Sequence, residues 1–165
     1  MLRLSLGKRG GAALLATVAL AVSASAAYAD TPTEDQVSAG GVTGANSVMG
    51  GASRNDENGS HGVWALANDR GLQSMTGHTT CLVVDGNKAT IGIQIDSSAL
   101  DPANIGRYRE LWVGDNGTPG NGVDYIYGTG FLDTAPTCDD PLPVANPRPI
   151  VFGDIQVIDA TPPSL

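Results

Sequence analysis

The residues able to do chemistry are few and widely spaced. Only His61 and His78 are available as bases near neutral pH. His61 lies in a Gly/Ser-rich stretch, a poor place to hold a preorganised catalytic group. His78 enters an expected strand, where a hydrogen-bonded or solvated imidazole is the ordinary outcome. No G-x-S-x-G nucleophile elbow occurs, so no catalytic residue is assigned. Asp115, Asn116 and Asp124 are oxygen donors of the kind calcium takes. Their spacing departs from the EF-hand loop D-x-[DN]-x-[DN]-G-x5-E, and Asn116-Gly117 and Pro119-Gly120 are turn dipeptides. A chain reversal is the expected role, with calcium as the alternative. Carboxylates alone can run a glycosidase, but no pair stands out among the 17 Asp and Glu. No cofactor is expected.

Cys81 and Cys138 are the only cysteines. In an exported chain they are expected to pair as one disulfide, because the compartment is oxidising. Catalytic thiol pairs usually sit together as C-x-x-C. This bridge would close a loop of roughly sixty residues, worth roughly 4 kcal/mol in the chain-entropy account. Zinc would need three or four ligands, and pairing removes the thiols.

Export itself is read from the start of the chain. Arg3, Lys8 and Arg9 precede an uncharged, mostly apolar run at 11–22, and Ala27-Tyr28-Ala29 fits a small-x-small cleavage site. Residues 1–29 are therefore expected to be a signal peptide, leaving a secreted, extracellular protein with no membrane span. Its removal takes away three basic and no acidic residues, moving the net charge from -8 to -11. The remaining cations are scattered, which argues against nucleic acid and anionic lipid as partners.

The elements that must position these groups follow period two. Residues 88–96 alternate Ala89, Ile91, Ile93 and Ile95 with Lys88, Thr90, Gly92 and Gln94, the pattern of a half-buried strand. Residues 79–84 precede them through Asp85-Gly86-Asn87, expected to form a two-residue turn. Leu82 and Val84 should then share a face with Ala89 and Ile91, leaving Cys81 and Val83 opposite. That second apolar face calls for a cover, which the proline-rich run at 135–149 could supply. Further strands are expected at 63–67, 108–113, 123–132 and 151–159, with a short helical turn near 99–105. Residues 30–61, rich in Gly, Ser and Asn, bury too little to offset their ordering entropy and are expected to be a flexible leader, with a short first strand at Val48-Met49 as the alternative. Residues 62–160 then form a single small all-β domain, an antiparallel β-sandwich or barrel with one disulfide. Residues 161–165 are a tail.

Three segments resemble a widespread, uncharacterised secreted bacterial β-rich domain. Thr80-Cys81-Leu82-Val83-Val84-Asp85-Gly86-Asn87-Lys88-Ala89 is similar to its TCLxVxGNxA hairpin. Asp115-Asn116-Gly117-Thr118-Pro119-Gly120, followed by Asp124, is similar to its DNGxPG loop. Cys138-Asp139-Asp140-Pro141 and Gly153-Asp154-Ile155-Gln156-Val157-Ile158-Asp159-Ala160 resemble its CxxP and GxIxVxDA close. The resemblance covers 62–160 in order and implies an exported β-fold, with no established activity.

The functional expectation is a secreted, non-catalytic β-domain whose partner is an extracellular protein or the cell wall. One alternative is a secreted protease inhibitor presenting a disulfide-braced loop, since a fixed extended loop lowers the entropy cost of binding. A small carboxylate-dependent hydrolase is the other. Exposed Trp112, Tyr125 and Tyr127 could stack sugars or a partner, whereas burial would make them core.

Overall fold

The computed structural model describes residues 33–44, 46–55, 57, 59–68, 74–99, 101–117, 123–139 and 147–160. The expected signal peptide and C-terminal tail lie outside the described residues. Among the described residues nine strands run in chain order: β1 Asp35–Thr43, β2 Asn46–Asn55, β3 Gly59–Asn68, β4 Met75–Asp85, β5 Lys88–Ser98, β6 Tyr108–Gly114, β7 Tyr125–Gly128, β8 Arg148–Pro149 and β9 Phe152–Ile158. They form one antiparallel sheet in the order β8-β7-β6-β5-β4-β3-β2-β1-β9. The expected helical turn is a 3-10 turn at Pro102–Asn104, capped by the Asp101 carboxylate.

Chain connectivity forces the sheet to curl. Only Ile150 and Val151 separate β8, at one edge, from β9, at the other. The Ile150 N–H donates to the Asp124 carbonyl at 2.8 Å, and the Val151 N–H to the Val42 carbonyl on β1 at 2.9 Å. Two residues span little more than about 7 Å, so the edges must approach one another. The result is a half-barrel, which settles the sandwich-or-barrel alternative in favour of a single curled sheet.

The interior follows the expected alternation. Ala89, Ile91, Ile93 and Ile95 of β5 are buried, and Leu82 and Val84 pair with Ile91 and Ala89 through a two-residue Gly86-Asn87 turn. A register shift between Thr79 and Cys81 lets β4 keep one face inward along its length. Before it Met75 and Thr79 point into the interior, and after it Leu82 does. Such a bulge changes side-chain parity, and here it places Cys81 on the outer face. Trp64 fills the middle of the interior at 2% exposure, its Nε1–H donating to Thr79 Oγ1 at 3.1 Å.

The expected flexible leader is corrected: residues 35–55 are β1 and β2, in the sheet between β3 and β9. All nine residues of β1 pair with β2, and all ten of β2 pair with β3. Val37, Ala39, Val48 and Ala52 are buried. The segment reads as featureless because its inward positions are small, and they are small because larger neighbours occupy the space. A Cβ on Gly50 would lie 2.7 Å from the Trp64 ring, and one on Gly41 would lie 2.8 Å from Ile150 Cγ2. The folded unit therefore begins at least as early as residue 35, not 62, and His61 sits on β3 rather than in a leader.

The outer face of β4, β5 and β6 is covered by the segment after β7. Leu132 bridges to Tyr108, and Pro136 lies close above Gly92, where an added Cβ would meet Pro136 Cγ at 2.8 Å. The disulfide Cys81–Cys138 ties this cover down. Thr90 beneath it is fully buried, and Cys138 is 1% exposed. Residues 135–139 thus fit the cover read from the sequence, and 140–146 lie outside the described residues. Trp112 stacks on Tyr127 with centroids 5.4 Å apart. Trp112 is buried and Tyr125 half-buried, leaving Tyr127 as the exposed member of that aromatic set.

Candidate functional site

Asp115 and Asp124 are brought together as expected of a loop, but their carboxylates are occupied by backbone donors. Asp124 Oδ1 accepts the Asn116 N–H and Oδ2 the Ile155 N–H, both at 2.9 Å. Asp115 Oδ1 accepts the Gly117 N–H at 2.7 Å and Oδ2 the Val157 N–H at 3.1 Å. Ile155 and Val157 are alternate residues of β9, and their N–H groups face away from β1. The two carboxylates therefore satisfy the free edge of β9, where an unmatched N–H would be costly. Asn116 Nδ2–H donates to the Val123 carbonyl at 2.6 Å, closing the loop on itself. The group is a clasp between the β6–β7 loop and β9. Among the described residues, no cluster of three or more His, Cys, Asp or Glu is arranged to hold a metal.

The β4–β5 turn, the Asp115 loop and the end of β9 meet at this same end. The Gly86 N–H donates to Asp159 Oδ2 at 2.8 Å, and Asn87 Nδ2–H to the Asp115 carbonyl at 2.6 Å. Buried Asp35 adds a further tie: Oδ2 receives Arg54 Nη2–H at 2.8 Å, and Oδ1 receives the Ala160 N–H at 3.1 Å. Arg54 Nη1–H also donates to the Leu82 carbonyl at 2.9 Å. These contacts tie the end of β9 to β1 and the β4–β5 turn, and that turn to the β6–β7 loop, in part through charge-assisted hydrogen bonds.

A residue chosen only for turn geometry would tolerate Asn, whereas this clasp predicts otherwise. In Asp124→Asn, one acceptor oxygen becomes an NH2 donor facing a backbone N–H. We expect a loss of about 1–3 kcal/mol, the cost of leaving a buried donor unmatched. Asp115→Asn should cost less, because Asp115 is half-buried while Asp124 is buried. Urea unfolding of both variants checks this. Neutral behaviour of Asp124→Asn would remove the clasp from the account of stability.

The histidines are not brought into a catalytic arrangement. His61 Nε2 lies 2.8 Å from Ser53 Oγ, and His78 Nδ1 lies 2.7 Å from Asp96 Oδ1, both pairs on the exposed outer surface. Glu110, on the outer side of β6, has its carboxyl held above the usual range by burial and then by the nearby Asp139 charge. No reading of the sequence singled it out.

The opposite end of the half-barrel has a different character. A cavity of about 160 Å³ opens among the end of β1, the starts of β2, β4 and β6, and the end of β7. Its apolar wall includes Val48, Leu66, Met75, Leu111 and Ile126, and its polar side carries Arg109 and Arg148. Arg109 shares the inward face of β6 with Leu111 and Val113, pairing in register with Ile93. Its Nε–H and Nη2–H both donate to the Thr129 carbonyl, at 3.1 and 2.7 Å, and its guanidinium carbon lies 5.6 Å from the Phe131 ring centroid. Burial, and then the neighbouring Arg148 charge, hold the Arg109 guanidinium below its ordinary range. Among the described residues no carboxylate forms an ion pair with Arg109. Sequence reasoning missed this site. The available signal was an arginine at an inward position of an alternating strand, Arg109-x-Leu111-x-Val113.

Fold and cavity together define a curled antiparallel β-domain with one packed, tied end and one hollow end. No family model, curated protein or solved structure matches the chain.

Proposed function

We propose that the protein is an exported, non-catalytic binding domain that holds a small ligand in the cavity at its Arg109 end. The observation that carries this reading is the cavity itself, about 160 Å³ of space beside an interior packed by Trp64 and the β5 isoleucines. Protein interiors are close-packed, and voids larger than a water are few. A space of this order, roughly 150 Å³, is large enough for a benzene-sized body, and here its wall is apolar on one side and polar on the other. The disulfide and the expected signal peptide support an extracellular setting. The covering segment at 131–139 lies flat on the sheet, so the inhibitor reading finds its support only in residues outside those described.

Near-saturated aqueous toluene should raise the melting midpoint of the wild-type protein through mass action, because the ligand binds only the folded state. Met75→Phe fills part of the wall and should abolish that rise while leaving the protein folded. An unchanged wild-type midpoint across the toluene series would overturn the reading.

A further inference from the structure

We propose that the outer face of β9, β1, β2 and β3 is a contact surface for a second copy of this chain, the two packing sheet against sheet about a two-fold axis. This surface lies outside the half-barrel and does not depend on a ligand in the cavity.

The outer face of the sheet is covered on one half only. Residues 131–139 lie over β4, β5 and β6, whereas on β9, β1, β2 and β3 the outward Met49, Val63 and Phe152 are left 69%, 68% and 79% exposed. Strand register makes them one patch. Phe152 pairs with Val42, Met49 with Gly40 and Ala65, and Val63 with Gly51. A contiguous exposed apolar patch marks a contact surface.

Charge selects the occupant. Four outward residues of β1, Gln36 to Val42, pair with four on β2, those with four on β3, and on the other side with four on β9. These sixteen positions hold one carboxylate, Asp154, and no lysine or arginine, although the chain has 17 Asp and Glu. That carboxylate already accepts Gln156 Nε2–H at 3.3 Å. Exposed Phe and Met with few charges are the composition of an interface core. A basic partner finds no row of carboxylates here to pair with. Two copies of an acidic chain repel through the rest of their surface and can meet only where charge is absent.

Shape fits the same occupant. A two-fold contact is self-complementary, so knobs and hollows must share one surface. Phe152 and Met49 stand beside a hollow of about 350 Å³ that Gly40 and Ala65 also line. A Cβ on Gly40 would meet nothing within 4 Å. A space of roughly 150 Å³ already admits a benzene ring, so the Phe152 ring of one copy can seat in the hollow of the other. With strands about 4.8 Å apart and about 3.4 Å per residue, the field of outward positions has a footprint of about 500 Å². Two such footprints reach the roughly 1,000 Å² that a specific interface needs. A contact at that lower limit is expected to be roughly micromolar or weaker.

Sedimentation velocity of the chain from Asp30, from about 1 μM to about 1 mM, tests this. A monomer–dimer equilibrium is expected, and strong salt should tighten it severalfold by screening the repulsion between acidic copies. Met49→Glu should weaken it roughly hundredfold, because like charges then meet across the axis. Phe152→Ser should weaken it roughly thirtyfold, the loss of one aromatic anchor. Both positions are exposed, so the melting midpoint of the dilute monomer should stay as it is. Ile105→Ser, at an exposed apolar residue outside this face, should leave the equilibrium unchanged. A monomer at every concentration would overturn the proposal. A dimer that survives both Met49→Glu and Phe152→Ser, or that Ile105→Ser disrupts equally, would overturn it by placing the contact elsewhere. Dissociation in strong salt, or growth past the dimer, would overturn the uncharged two-fold contact.

Discussion

A chain that begins at Gly59 instead of Asp30 is expected to lose cooperative unfolding altogether. The deletion removes β1 and β2, and with them the buried side chains Val37, Ala39, Val48 and Ala52. Fully burying a valine contributes about 1.5–3 kcal/mol, so the two valines, with the two alanines beside them, account for a large part of the whole stability of a typical domain, about 5–15 kcal/mol. The loss does not stop there. Trp64 would lose the Gly50 backbone against which its ring packs, and β9 would lose β1, its ladder partner. Without Asp35 and Arg54 the tie to Leu82 and Ala160 is also gone. Circular-dichroism melts of the chain from Asp30 and the truncated chain provide the comparison. A sharp transition near the full-length midpoint in the truncated chain would show that the sheet does not need its first hairpin.

That expectation inverts what residue composition suggests for 30–61, and the reason is physical. Hydrophobic alternation betrays a strand when its inward residues are large, as in Ala89-x-Ile91-x-Ile93-x-Ile95, where strand, register and turn were all legible. In β1 the same alternation is written as Val37-x-Ala39-x-Gly41, because Ile150 fills the volume at Gly41, as the Trp64 ring does at Gly50 of β2. A partner that supplies the bulk is invisible in the strand that accommodates it. The Asp115 loop shows a related limit. The oxygen donors were plain in the sequence, but what they accept was not, since the Ile155 and Val157 N–H groups are backbone and every residue but proline carries one. The disulfide was legible because only two cysteines exist to pair. The cavity was not, because Arg109 and Arg148 are distant in the chain and come near only when β6, β7 and β8 lie side by side.

Breaking the Cys81–Cys138 bridge is expected to be the most damaging single substitution, at about 2–5 kcal/mol, the range for native disulfides of small exported domains. The loop it closes spans a sequence separation of 57, so much of the cost arises from greater freedom of the unfolded chain. The two cysteines should not be equivalent, however. Cys138 is 1% exposed whereas Cys81 is half-buried, so Cys138→Ser also places a hydroxyl where little can pair with it. Cys138 further holds φ at +55°, the left-handed region that non-glycine residues seldom occupy. Released from the bridge, this backbone is free to relax and the cover at 131–139 to lift from β5 and β6. Trp112 reports that step. It is 9% exposed, and its Nε1 makes no hydrogen bond with a described residue, so water reaching the indole gives it a partner it lacks. Trp64 is deep in the interior and bonded to Thr79, so it should stay unchanged. Mild reduction of the wild-type protein should therefore shift tryptophan emission to the red, while the far-ultraviolet signal of the sheet is kept. Cys138→Ser should lower the melting midpoint further than Cys81→Ser. A reduced protein with unaltered emission and midpoint would mean that the cover is held by packing alone. Equal midpoints for the two serine variants would place the whole effect in the unfolded chain, where the loss of one bond is the same whichever end is cut.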